Sequence, residues 1–337
     1  MRALHPFSYV RLVTSRKGFQ MSTPRTSKAS DQAPSPQQPA RDKVVVITGA
    51  SSGLGLQTAR QLAGQGGEIV MIVRDQARGT RARSRVAEAA TGRPPVLLMA
   101  DLSVQADVRR VARQVRDRYE HVDILVNNAG SAFSRRALGA DGLELTWATN
   151  QLAPFLLTEL LLPLLAHAPA GRIVSVVSEI YSRRLDPGNL QGERKYGYFR
   201  AYRASKLATI LVTAELARRI NGSGVTVVAV SPGPARTNFG GGGPPGPMGV
   251  VTGVLKHTPV VKPADQAARG IAWAAAAPEL ADTPGALYMR GKRLSLKGAA
   301  NDRSLAARVW AISEQQTGID PARSAVTAVS AAAGSDA

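Results

Sequence analysis

The chain has 337 residues, 44% hydrophobic and 20% charged, a globular profile long enough to bury a substantial core. It contains no cysteine, which excludes disulfides, thiolate ligands and a cysteine nucleophile, and its four histidines (His5, His121, His167, His257) are too scattered for a protein metal site. The net charge of +19 comes mostly from arginines dispersed over helical patterns without interleaved aromatics, which reads as solvated helix faces and not as a nucleic-acid surface.

In chain order, residues 1–40 read as a disordered basic leader: Lys and Arg without acids up to residue 30, then Ala33-Pro34-Ser35-Pro36-Gln37-Gln38-Pro39. Two explanations stand, an organellar transit peptide, against which its lack of an amphipathic repeat counts, or an extension ahead of initiation at Met21. A cytoplasmic location is expected. Short β-branched runs then alternate with helical patterns, placing strands at Val44 to Thr48, Ile69 to Val73, Val96 to Met99, Ile124 to Asn127, Ile173 to Val177, Val225 to Val230 and Ala286 to Met289. Unbroken apolar runs such as Val44-Val45-Val46-Ile47 imply cover on both faces. The expected fold is therefore α/β, a Rossmann-like, doubly wound, seven-stranded parallel sheet in one domain over residues 41–318. The apolar stretch Leu152 to Leu165, interrupted by Pro154, Glu159 and Pro163, is too short for a transmembrane span and reads as a buried helix. The Gly/Pro run from Gly240 to Pro247 lies in a long connection expected to flank substrate, ahead of a helix beginning near Pro263. Residues 319–337 read as a flexible Ala-rich tail.

The first strand runs into Thr48-Gly49-Ala50-Ser51-Ser52-Gly53-Leu54-Gly55 and then a helical pattern. Glycines at a strand-to-helix turn allow a tight reversal and close approach of a pyrophosphate to the helix N-terminus. No Gly-Lys-Ser/Thr follows, so a nucleoside-triphosphate P-loop is excluded. The second strand ends at Val73-Arg74-Asp75, where the adenosine ribose should lie. Arg74, with Arg78 one helical turn on, favours the 2′-phosphate of NADP(H), while Asp75 keeps NAD(H) open.

Tyr202-Arg203-Ala204-Ser205-Lys206 opens a helical stretch, Leu207 to Arg219, that stacks the phenol and the ammonium one turn apart. A cation there is expected to favour the phenolate and bring Tyr202 towards working pH for proton exchange with a carbonyl or alcohol. Taken with the glycine turn, Asn127-Asn128-Ala129-Gly130, Asn150, Ser178 and Pro232-Gly233, the order of motifs resembles the short-chain dehydrogenases/reductases over residues 43–318. Thr149 to Thr158, Ala201 to Ala208 and the insertion between Ser178 and Tyr202 look like the retinol dehydrogenase and protochlorophyllide reductase-like branch.

That resemblance implies that Ser178 hydrogen-bonds the substrate oxygen, Lys206 also binds the nicotinamide ribose, and Asn150 holds a water that links Lys206 to solvent. It implies that Asp101-Leu102 meet the adenine, that Asn127, Asn128, Ala129 and Gly130 line the cofactor groove, that Pro232-Gly233 belong to the cofactor site and that Thr237 contacts the carboxamide. The sequence departs from the family at Val177-Ser178, where two serines are common, and in the Gly/Pro run after Phe239. The expected activity is hydride transfer between NADP(H) and a carbonyl or alcohol of a large apolar small-molecule substrate, with a homo-oligomer left open. Reduction of a conjugated double bond and a non-catalytic cofactor-binding scaffold are the rivals.

Overall fold

The computed structural model describes residues 40–235 and 261–335 of the chain. Its strands are β1 (Val44–Thr48), β2 (Glu68–Val73), β3 (Val96–Met99), β4 (Ile124–Asn127), β5 (Arg172–Val176), β6 (Thr226–Ser231), β7 (Leu287–Met289) and β8 (Lys292–Arg293). The helices are α1 (Gly53–Ala63), α2 (Gln76–Ala87), α3 (Gln105–Arg116), α4 (Leu145–Ala166), α5 (Tyr198–Arg219), α6 (Ala264–Ala276), α7 (Arg303–Thr317) and α8 (Ala325–Ser335). The strands form one sheet in the order β3-β2-β1-β4-β5-β6-β7-β8.

The seven expected strands pair in parallel, each within a residue of its expected bounds. An eighth was not expected: β8 turns back antiparallel on β7 through Arg290-Gly291, both at positive φ (51° and 73°). Its two residues are exposed and basic, so no apolar alternation marks it.

Alternate residues of β1 serve two cores. Val44 and Val46 pack with α3, α4, α5, α7 and α8, whereas Val45 and Ile47 pack with α1, α2 and α6. With β2 on one side of β1 and β4 on the other, the winding reverses there, and ligands of such sheets bind at the carboxyl ends beside that reversal.

Three expectations change. Helix α4 begins at Leu145, ahead of the apolar run, and its 22 residues are long and apolar enough to cross a membrane. Burial accounts for that composition, because Leu156, Leu157, Leu161, Leu162 and Leu165 are all in the core. Helix α5 begins at Tyr198, so Tyr202 sits in its second turn instead of opening it. The tail is not wholly irregular: Ala325–Ser335 is helical, Val326 is buried, and Thr327 N donates to the Ser324 hydroxyl at 3.2 Å. Alanine is the best intrinsic helix former, and a buried valine with a serine cap supplies the anchor that alanines lack. The Gly/Pro run from Gly240 to Pro247 and Thr237 lie outside the described residues.

Candidate active site

The site is assembled from strand ends. At the end of β1, Gly49 and Gly53 take φ of 69° and 55°, which only glycine adopts without cost. Gly55 has regular helical backbone but no room, since a Cβ there would collide with Asn128 Nδ2 and the Gly49 carbonyl. Thr48 ties this turn to the end of β4. Its hydroxyl accepts from the N–H groups of Asn128 (3.0 Å) and Ala129 (2.9 Å), and Asn128 Nδ2 donates to its carbonyl at 2.8 Å. Ser52 makes no side-chain cap at α1, whose first turn carries no acid, so the positive helix end faces the groove uncompensated. Ser51, Leu54 and Gly130 lie on these same two segments, partly exposed.

At the end of β2, Arg74 is exposed, and Asp75 is engaged as the N-cap of α2, its carboxylate accepting from Arg78 N at 2.7 Å. The Arg78 guanidinium reaches back to the Ser52 hydroxyl at 3.2 Å. Arg78, noted from its spacing alone, thus joins the glycine turn directly. At the end of β3 the Asp101 carboxylate accepts from the Ser103 N–H (2.9 Å) and hydroxyl (2.8 Å), forming a turn that presents Leu102 partly exposed.

The carboxyl ends of β5 and β6 hold the second cluster. Ser178 accepts from Ile180 N at 3.0 Å and is hydrogen-bonded to the Tyr202 side chain. Lys206, buried and one turn beyond Tyr202, donates to the Val176 carbonyl at 2.8 Å, with its Nζ 5.8 Å from the centre of the Tyr202 ring. Burial pulls its ammonium from the ordinary 10.5 down to about 8. Burial raises Tyr202 above the ordinary phenol value of 10; the Ser178 hydrogen bond opposes that rise, and Glu179 and Tyr198 add to it. The expectation that Lys206 lowers the phenol is therefore corrected: in this arrangement desolvation dominates, and Tyr202 carries its proton.

Asn150 sits in a π-helical turn, Ala148–Leu152, inside α4. Its amide donates to the Ser131 carbonyl (2.8 Å) and the Ser205 hydroxyl (2.9 Å), and its oxygen accepts from Ser131 N (2.7 Å). Ser205 donates onward to the Tyr202 carbonyl at 2.8 Å. Both amide hydrogens of Asn150 are thus committed, and its main-chain carbonyl, which accepts from Thr209 at 3.2 Å, keeps a lone pair for a further donor. After β6, Gly233 takes φ 73° and donates its N–H to the Ser231 hydroxyl at 3.3 Å, beside Pro232. Sequence reasoning missed Ser131, Ser205, Glu179 and Ser231, whose partners lie 19 to 55 residues away.

The geometry agrees with the comparisons. A short chain dehydrogenase family model matches residues 43–242. A Streptomyces protein provisionally named daunorubicin C-13 ketoreductase is 36% identical, covering 83% of this chain and 94% of its own. Human retinol dehydrogenase 13 is 35% identical over 82% of this chain and 85% of its own. Among solved structures, an uncharacterized protein from Mycobacterium paratuberculosis superposes with a TM-score of 0.67 at 33% identity, covering 83% of this chain and 95% of that one. A short chain dehydrogenase from Burkholderia cenocepacia in complex with NADP superposes with a TM-score of 0.58 at 26% identity, covering 78% and 100%. The chain is an NAD(P)-dependent short-chain dehydrogenase/reductase of the retinol dehydrogenase-like branch.

Proposed function

We propose that the protein is an NADP(H)-dependent reductase of ketones or aldehydes on large apolar molecules, running in reverse as an alcohol dehydrogenase. The observation that carries this reading is the Ser178–Tyr202 hydrogen bond, made by a phenol that burial keeps protonated and backed by a buried lysine one turn on. Ser178 and Tyr202 together present two hydroxyls to one substrate oxygen. A nicotinamide held by the glycine turn and Lys206 would supply the hydride for the carbonyl carbon. As charge develops on the oxygen, Ser178 donates a hydrogen bond to it and Tyr202 passes its proton. The Lys206 ammonium offsets the phenolate left behind, and the Asn150 carbonyl holds the water that returns a proton. A dinucleotide fits the residues present, because Gly49 and Gly53 give the turn after β1 a left-handed backbone without side chains and the α1 terminus is uncompensated. The choice of NADP(H) rests on Asp75 being occupied as a helix cap while Arg74 and Arg78 remain at the ribose end.

The apolar substrate class rests on the site's mouth. Three large hydrophobic side chains are exposed among the described residues, and two of them, Ile180 (55%) and Phe199 (41%), flank Ser178 and Tyr202 in sequence. The names of the ketoreductase and retinol dehydrogenase relatives point the same way. The test is NADPH oxidation with a panel of polycyclic and isoprenoid ketones and aldehydes. Tyr202→Phe should lower kcat by roughly 100-fold to 10,000-fold while NADPH affinity is kept. Near-normal turnover of that variant on a confirmed carbonyl substrate would overturn the mechanism.

A further inference from the structure

The ends of β5, β6 and β7 lie side by side, and extending the pairing of Val176 with Val230 and of Ser231 with Met289 brings Ser178, Pro232 and Arg290 into one row. The Arg290 guanidinium does not turn outward. Its Nε and Nη2 lie 3.8 and 4.0 Å from where a Cβ on Gly233 would sit, so it reaches back across the β6 turn, in the direction of β5. The Nε is shielded from solvent and has no hydrogen-bond partner. Arg60 and Arg172 also have an unpartnered Nε, but each donates through Nη1, to Gln57 and to the Ala274 carbonyl. Arg290 has no side-chain hydrogen bond and no ion pair among the described residues. Glu179, the acid of the neighbouring turn, is instead engaged by the Ser231 hydroxyl, which donates to its carboxylate. Nor does the backbone call for arginine: Arg290 and Gly291, at φ of 51° and 73°, form a tight turn that suits Asn, Asp or Gly at both positions. A shielded guanidinium nitrogen without a partner is costly, and neither the turn nor any described neighbour accounts for it.

We propose that Arg290 binds a carboxylate on the substrate, so that the enzyme acts on apolar carbonyl compounds bearing one acid group within roughly 5 to 10 Å of the reacting oxygen, one to two strand spacings. The planar guanidinium matches a carboxylate in a two-bonded fork. The cofactor's phosphates are out of its reach, because β7 stands four strand spacings, roughly 20 Å, from the glycine turn after β1, and the Arg74 end of the groove is farther still. The insertion after Ser178 adds charge of the same sign. Arg183, Arg203 and Lys297 are exposed and form no ion pair among the described residues. They are held to that insertion by bonds from Ala299 N to the Arg183 carbonyl (3.2 Å), Ser182 N to the Arg203 carbonyl (2.9 Å) and Lys297 N to the Tyr181 hydroxyl (3.0 Å). These charges draw an anion to the mouth, and Arg290 fixes it inside. The inference deepens the reductase reading above and rests on it.

Arg290→Asn tests it, because asparagine suits a positive-φ turn and removes the charge. In calorimetric titrations of the NADP+-bound protein, the wild type should bind dodecanoate more tightly than dodecanol. Arg290→Asn should weaken dodecanoate by roughly 10-fold to 100-fold, the loss of a charge-assisted pair, and dodecanol far less. With ω-oxo fatty acids of graded length and their methyl esters as substrates, wild-type kcat/KM should favour the acids, and Arg290→Asn should lose that preference. A wild type that binds dodecanoate no more tightly than dodecanol overturns the inference, as does an unchanged dodecanoate affinity in Arg290→Asn. Weakened NADPH binding in that variant also overturns it, since Arg290 would then be a cofactor ligand. Turnover of neither acids nor esters would refute the reductase reading alone, because the dodecanoate titration needs no turnover and still decides the role of Arg290.

Discussion

Lys206 makes the pH dependence of the reaction calculable in sign and in approximate size. Its ammonium is only 4% exposed and has the Val176 carbonyl as partner at 2.8 Å, so burial lowers it from 10.5 to about 8. That difference corresponds to about 3 kcal/mol against the charged form. Below about pH 8 the lysine is charged and available to hold the ribose and offset phenolate; above it the charge is lost. Reductive kcat/KM for NADPH, which reports the free enzyme, should therefore be level on the acid side and fall about tenfold per pH unit on the alkaline side. Tyr202 is not the source of that limb, because burial holds it above 10. Lys206→Arg should lower the rate, since a planar guanidinium does not seat as an ammonium does, but it stays charged throughout and should abolish the limb. A wild-type profile flat from pH 7 to 10, or an unchanged limb in Lys206→Arg, would refute the reasoning.

Two further outcomes follow from groups outside the proton-transfer cluster. Arg74→Ala should raise the KM for NADPH by about 10-fold to 100-fold, the loss of one charge-assisted hydrogen bond, and leave that for NADH nearly unchanged; equal losses with both cofactors would show that Arg74 reads something else. Glu159, a buried carboxyl that accepts from Ala325 N at 3.1 Å, is raised by burial from 4.5 to about 7. The folded state then holds a proton that the unfolded state has released, so stability is highest below about 4.5 and falls as pH rises to about 7, by up to about 3 kcal/mol. Glu159→Gln should remove that loss, and denaturant midpoints at pH 5 and 8 check it: the wild-type minus variant difference must be more negative at pH 8.

The parallel sheet was legible because central strands buried on both faces leave continuous apolar runs, as in Val44 to Ile47 and Ile69 to Val73. Elements whose formation depends on distant partners were not. β8 has two exposed residues and exists because β7 offers it an edge. α8 was readable in part from its Ser324 cap, but what fixes it lies far away in sequence, the Glu159 carboxylate at its first turn. In the site, the Tyr202 and Lys206 spacing is a property of one helix and could be read directly. Ser205 and Ser131 could not, because their shared partner is an asparagine on another element.

That asparagine shows why the motif order alone does not build the site. In an uninterrupted α-helix, Asn150 would follow the same 3.6-residue phase as the leucines after it, which pack into the core beneath the sheet. The π-helical turn from Ala148 to Leu152 inserts the equivalent of one extra residue and breaks that phase. The side chain of Asn150 can then bridge Ser131, after β4, and Ser205, on α5, while its carbonyl meets Thr209 one turn further along α5. Ser205 in turn holds the Tyr202 carbonyl. A local winding defect in α4 is thereby transmitted through one amide to the backbone that carries Tyr202 and Lys206. The wide turn has backbone strain to overcome, and three hydrogen bonds from one buried side chain are what offset it.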